Sequence, residues 1–308
     1  MDYGVHLPLI GFDQRPFSLD RLLEYTHVAQ DLGFKALAAN DHLVFARPWL
    51  DGPTALAAVV SHSQDMDLMT TVALPVVRGP APLAKTLAAI DILSGGRLKV
   101  GVGPGSSSQD YAVVGVAFEE RWKRLDEAVQ AMRAWWGREA SPFVGTFYST
   151  AGIEMRPYPK QQPGPPIWIG SWGSSAGLRR TARLGDGWLA SAYNATPELF
   201  AEAWGQLREH LVAAGKQPHS FPNALATMML YITEDGAEAE RMVREVLAPA
   251  LNRPWEELKQ RVLVGPAQEC AEKLEAYAEA GLQRVFLWPL ADELRQLELF
   301  RERVASSW

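Results

Sequence analysis

A chain of 308 residues with 47% hydrophobic and 21% charged side chains carries enough apolar surface for a sizeable core, which argues against a disordered chain. Thirty basic residues against thirty-six acidic ones leave a net charge of -6 and no long-range pull on a nucleic acid, and no window nears eighteen uninterrupted apolar residues, so neither a nucleic-acid nor a membrane partner is expected. The one cysteine, Cys270, has no internal partner, and Met1-Asp2-Tyr3-Gly4 opens no secretory signal; a reducing cytoplasm fits both.

Short apolar or β-branched runs alternate with longer stretches of helical period. In chain order the predicted strands are Tyr3 to Leu9, Ala36 to Asp41, Leu68 to Val76, Leu98 to Gly103, Ile167 to Trp172, Gly187 to Ala192, Ala224 to Ile232 and Arg284 to Pro289. Eight parallel strands joined by crossover helices predict an α/β fold closed into a (β/α)8 TIM barrel, with 1–308 as a single domain. Ser18 is placed to cap a first helix through Leu22, Thr26 and Ala29 to Leu32, and Gly33 supplies the left-handed stop. Further on, Phe118, Trp122, Leu125, Val129, Met132 and Trp136 recur at helical spacing and predict a face that buries both indoles. Two stretches break the alternation: Phe45 to Pro53 reads as an ordered loop after the second strand, and Ser141 to Pro166, with Val144 to Tyr148 suited to a short hairpin, reads as an insertion before the fifth. Cys270 shares a helical stripe with Leu274 and Tyr277 and is expected to be a packed thiol.

Active sites of such barrels lie at the carboxyl ends of the strands. The second strand ends in Asn40-Asp41-His42, where an imidazole can exchange a proton near neutral pH and a neighbouring carboxylate or amide can fix its tautomer; a hydrogen-bonded surface turn fits the same residues. His6 on the first strand suits a satisfied barrel histidine. The fourth strand runs into Gly101, Gly103 and Gly105, then Ser106, Ser107 and Ser108: backbone that a planar ligand can approach, with hydroxyls beside it, or a plain turn. After the fifth strand, Gly170-Ser171-Trp172-Gly173 and Ser174-Ser175 precede a helix, which suits a phosphate cradle as well as a simple N-cap; Arg179, Arg180 and Arg183 lie deeper in that helix and are expected to be solvated. No dinucleotide fingerprint, P-loop or zinc motif occurs, and no metal site is expected.

At these positions the chain resembles the luciferase-like monooxygenase superfamily, including its branch of oxidoreductases that use the deazaflavin coenzyme F420. The resemblance spans nearly the whole chain. It is carried by Leu32-Gly33-Phe34 leading to Asp41-His42, Leu83-Ala84-Lys85 leading to Leu93-Ser94-Gly95-Gly96-Arg97, Gly101-Val102-Gly103, Arg121 with Asp126-Glu127, Pro165 to Gly170, Gly185-Asp186-Gly187-Trp188 and Val264-Gly265-Pro266.

The resemblance implies a cofactor ring across the strand ends, bordered by Asn40, Gly103 and Ser106, with its phosphate held by Gly170, Ser171, Trp172 and Gly173. His42 and Asp41 would approach the ring or the substrate, and Ala73 and Leu74 match a place where the family often has a bulge or a non-prolyl cis peptide. Where the sugar-phosphate dehydrogenases of the branch carry an acid after the fourth-strand glycines, this chain has Ser106. Three activities follow: hydride transfer between F420 and a small organic substrate, a two-component FMN monooxygenase fed by a flavin reductase, or a non-catalytic flavin-binding protein. A homodimer is implied by the family habit.

Overall fold

The computed structural model describes residues 1–12 and 15–305; of the span read as one domain, 13, 14 and 306–308 lie outside it. Its nine strands are β1 (Asp2–His6), β2 (Ala36–Ala39), β3 (Asp67–Ala73), β4 (Leu98–Val102), β5 (Ile167–Gly170), β6 (Gly187–Ser191), β7 (Asn223–Ile232), β8 (Leu263–Gly265) and β9 (Arg284–Pro289). They form one parallel sheet in the order β6-β5-β4-β3-β2-β1-β9-β7-β8, and a further pairing of β6 with β7 closes β1 to β7 and β9 into the expected eight-stranded barrel. The strand that escaped the sequence reading is β8. It is three residues long, too short to show a period, and pairs only with the far end of β7, Leu230 to Ile232.

Several strands also end sooner than their apolar runs do. Leu7, Leu9 and Ile10 are as buried as the strand residues before them, because the segments leaving the barrel rim pack under one another. Hydrophobicity reports that burial and not the last ladder bond. Inside the barrel, Ala36, Ala38, Ala224 and Ala226 leave room for Trp168, Phe286, Met69 and Leu189, and a larger core lies between strands and helices.

The first helix, Leu19–Asp31, starts at Ser18, whose hydroxyl accepts the Arg21 N–H, and stops before Gly33 at φ +78°. In Arg121–Trp136 the aromatic stripe is only half as expected. Trp136 is buried and its Nε1–H donates to the Ala84 carbonyl at 3.0 Å, whereas Trp122 is 37% exposed and lies under the Arg180 guanidinium. Phe118 falls outside the helix, in a 3-10 turn. The insertion does form a tight antiparallel turn, bridged between Val144 and Ser149, and Glu127 pins it by accepting the N–H groups of Thr146, Phe147 and Tyr148. The loop after β2 is ordered, pairing Ile10 with Trp49, and passes into the helix Gly52–Ala58 capped by Asp51. Cys270 is a buried thiol, its titration pushed up to about 12 by burial. No helix among the described residues is long and apolar enough to cross a membrane.

Candidate active site

Strand β2 delivers Asn40, Asp41 and His42 to the C-terminal rim, and the three side chains do different work. Asn40 turns its amide oxygen back onto the chain, accepting the N–H groups of Asp41 at 2.8 Å and of Val72 at 3.1 Å. Asp41, 2% exposed, accepts from Nε of Arg78 at 2.7 Å, from Nη2 at 2.6 Å and from the Leu74 N–H at 3.2 Å; Arg78 reaches Asp51 as well. Its oxygens are spent on joining β2 to the turn after β3.

His42 sits at the opening of the site. Its Nδ1 lies 2.8 Å from Oδ2 of Asp110, a carboxylate 1% exposed whose Oδ1 accepts the N–H groups of Leu43 at 2.9 Å and Val44 at 2.8 Å. Burial alone would raise the Asp110 carboxyl, but the hydrogen bond from His42 and those two N–H groups outweigh it and hold the group below the usual carboxylate range. Nε2 of His42 bonds no described residue and keeps accessible surface. Phe45 and Trp49 pack on the imidazole with ring centroids 5.0 and 4.7 Å away, and Trp49 meets Trp288 edge to face.

Next to Asn40 the rim is stripped of side chains. Strand β3 shifts register against β4 between Thr70 and Ala73, and the Thr71–Val72 peptide is cis. The irregular stretch therefore falls before Ala73 and Leu74, where the sequence reading had put it; Ala73 is back in register with Val102, and Leu74 follows the strand. Val72 lies against two glycines: a Cβ on Gly103 would stand 2.8 Å from its Cγ2, and one on Gly170 would stand 2.9 Å from its Cγ1. So β3, β4 and β5 together present a valine flanked by bare backbone, an apolar shelf that a flat ring system can lie on.

The model of the luciferase-like monooxygenase family matches residues 5–284. The chain belongs to that family. Among its relatives, the F420-dependent glucose-6-phosphate dehydrogenase of Segniliparus rotundus is 28% identical over 94% of both chains, and the F420-dependent hydroxymycolic acid dehydrogenase of Mycobacterium tuberculosis is 30% identical over 72% of this chain and 62% of its own. The solved monooxygenase RslO1 of Streptomyces bottropensis is 25% identical, with a TM-score of 0.85 over 99% of both chains. An F420-dependent secondary alcohol dehydrogenase in complex with an F420-acetone adduct also superposes with a TM-score of 0.85, over 100% of this chain and 99% of that one, but at 20% identity, and shows the shared fold.

In this luciferase-like oxidoreductase the two patches singled out in the sequence share one rim. Val72 joins them, bonded through its N–H to Asn40 and packed through its side chain on Gly170. In the loop after β5, Ser171 is buried, with its N–H donating to Leu189 and its hydroxyl accepting from Gly173 at 3.4 Å. Ser174 caps the following helix, Ser175–Leu184, by accepting the Gly177 N–H. Trp172 stands 60% exposed beneath the Arg253 guanidinium, which is held by the Tyr193 carbonyl and Asn194. Of the helix arginines, Arg179 and Arg183 are exposed as expected, Arg179 donating to Ser175 and Arg183 to Asp126, whereas Arg180 is part-buried on the same Asp126. Ser106 is exposed.

Asp110 and Val72 are the site residues that the sequence reading missed. A signal for Asp110 was present. Ser107 and Asp110 are spaced as an N-cap and the acid three residues on, and Ser107 does cap the helix Ser108–Val113 by accepting the Asp110 N–H. Nothing in the sequence paired that acid with His42, 68 residues away.

Proposed function

We propose that the chain is an oxidoreductase that moves a hydride between coenzyme F420 and a small organic substrate at the C-terminal mouth of the barrel. The observation that carries this reading is an imidazole, His42, hydrogen-bonded to the buried Asp110 on the same rim as the Gly103–Val72–Gly170 shelf. When bound, the deazaflavin supplies the hydride-accepting carbon. The residues present fit such a ring, since the shelf is the kind of cradle that a single added Cβ would fill.

On this reading Val72, Gly103 and Asn40 border the ring, Gly170 to Gly173 hold its phosphate near the helix start at Ser174, and His42 carries the substrate proton through Nε2. Ala73, Leu74 and Asp41 are positioning residues, since Asp41 is taken up by Arg78 and Leu74. Ser106, exposed at the rim, contacts the outer edge of the cofactor. Both curated relatives named above are F420-dependent dehydrogenases, which supports F420 over FMN.

The test is titration of the purified protein with F420 and with FMN, followed by turnover of secondary alcohols and of glucose 6-phosphate. Tight F420 binding and loss of the oxidised deazaflavin absorbance with an alcohol are expected, and His42→Ala should lower that rate by roughly a hundredfold or more. Binding of FMN alone, with oxygen uptake when reduced FMN is supplied, would favour the monooxygenase reading, for which the likeness to RslO1 speaks.

A further inference from the structure

We propose that Asp110 is a positioning residue that locks His42 in the tautomer with its hydrogen on Nδ1, so that Nε2 is kept as a bare acceptor and the site is built for substrates that present a hydroxyl to be deprotonated. The inference rests on the reading of His42 as the proton carrier and adds to it the residue that sets the direction of the proton.

The geometry is that of a carboxylate with every role assigned. Two backbone N–H groups, from Leu43 and Val44, converge on Oδ1 and orient the group without help from the imidazole. Oδ2 is then presented to Nδ1 at 2.8 Å. An ionised, buried carboxylate can only accept, so the hydrogen in this pair belongs to the ring nitrogen. The remaining nitrogen, Nε2, carries a lone pair and has no partner among the described residues. In alcohol oxidation the O–H proton passes to Nε2 and the imidazolium charge is countered by Asp110. The carbinol carbon gives its hydride, with the bonding pair, to the oxidised deazaflavin, and the C–O single bond becomes a carbonyl. An acid is thereby present four residues beyond Ser106, on the first turn of the helix Ser108–Val113, and it acts through His42 rather than on the substrate.

Asn at position 110 makes the sharp test. The two N–H groups at Oδ1 would claim the amide oxygen, leaving the Asn NH2 facing Nδ1, and the ring would have to accept there and carry its hydrogen on Nε2 instead. In histidine-¹⁵N-labelled protein above the pH at which the ring titrates, long-range ¹H–¹⁵N spectra should show His42 protonated at Nδ1 in the wild type and at Nε2 in Asp110→Asn. With F420 and an alcohol, the same variant should lose roughly a hundredfold in kcat with KM little changed, and its pH profile should shift. A wild-type spectrum showing Nε2–H overturns the proposal even if the variant fails to fold; so does a variant whose spectrum is unchanged. If the ring pattern reverses while alcohol oxidation is unaffected, the catalytic half of the proposal is wrong. A wild type with the Nδ1–H ring that binds no F420 would instead sink the functional reading and leave the tautomer lock standing.

Discussion

Arg78 grips the Asp41 carboxylate with two arms, Nε to Oδ2 at 2.7 Å and Nη2 to Oδ1 at 2.6 Å, and so fastens the end of β2 to the turn that follows β3. The next residue in the chain is His42, so this ion pair fixes the backbone from which that imidazole projects. Both oxygens of the carboxylate are engaged, Oδ1 by Arg78 and Oδ2 by Arg78 and the Leu74 N–H.

Removing the guanidinium would leave a carboxylate that is 2% exposed without its counter-charge, a change that costs about 3–5 kcal/mol when a buried pair is broken. Arg78→Ala is therefore expected to lower the unfolding free energy by about 3 kcal/mol in urea titration. Arg78→Lys should recover only part of that, since a single ammonium cannot reproduce the two-armed contact. Equal stability of Arg78→Ala and wild type would show that the Leu74 N–H suffices to hold the Asp41 carboxylate.

His6 predicts an acid sensitivity. It is fully buried inside the barrel, stacked on Trp288 with centroids 4.3 Å apart, and its Nε2 accepts the Thr227 N–H at 3.2 Å. Burial lowers its titration from 6.5 to about 3. The unfolded chain thus binds the extra proton throughout that interval and the folded chain does not. Stability contributed by the neutral ring is complete above pH 6.5 and is lost as the pH falls toward 3, with a slope of up to about 1.4 kcal/mol per pH unit. His6→Asn should be less stable at pH 7 but show a shallower decline of melting temperature between pH 6 and 4. Parallel declines in the two proteins would mean that His6 is not the group responsible.

Trp122 and Trp136 show what helical spacing can and cannot tell. Both lie on one stripe of the helix Arg121–Trp136, and the spacing correctly identifies the side that faces the sheet around Leu125, Val129 and Met132. It does not tell how far the helix overhangs the barrel. Trp122 is in the first turn of the helix and 37% exposed, and its partner is the Arg180 guanidinium at 4.6 Å rather than the core. Trp136→Ala should cost about 3–5 kcal/mol and Trp122→Ala within about 1 kcal/mol, read from urea unfolding. Similar losses for both would restore the expectation that each indole is core.

The same division runs through the site. Strand order and closure were legible because parallel strands, buried on both faces, leave long apolar runs separated by helical periods. Asn40 to His42 and Gly170 to Gly173 were legible as rim residues because they follow such runs. The partners were not. Asp41 beside His42 in sequence looks like the carboxylate that would orient the imidazole, yet in space Arg78 takes Asp41, and Asp110, from the short helix after β4, takes His42. Adjacent residues at a strand end point in opposite directions, so neighbours along the chain are poor candidates for neighbours in a site.

Gly103 and Gly170 allow the shelf itself to be tested. Neither has a positive φ, so alanine is tolerable to the backbone at both, and any penalty must come from what the new methyl meets. At Gly170 it would stand 2.9 Å from Cγ1 of Val72 and 3.2 Å from the Val102 carbonyl oxygen; at Gly103 it would stand 2.8 Å from Cγ2 of the same valine. Since Val72 is anchored through its N–H to Asn40, the side chain has to be pushed up off the rim, into the space that a flat ring would occupy. Gly170→Ala should therefore weaken F420 binding about tenfold or more, a loss on the order of 1.4 kcal/mol, in a fluorescence titration. The double change Gly170→Ala with Val72→Ala removes the colliding methyls and should restore most of the affinity. If the single variant binds F420 as the wild type does, the ring does not lie on this shelf; if the double variant binds no better than the single one, the damage comes from elsewhere than Val72.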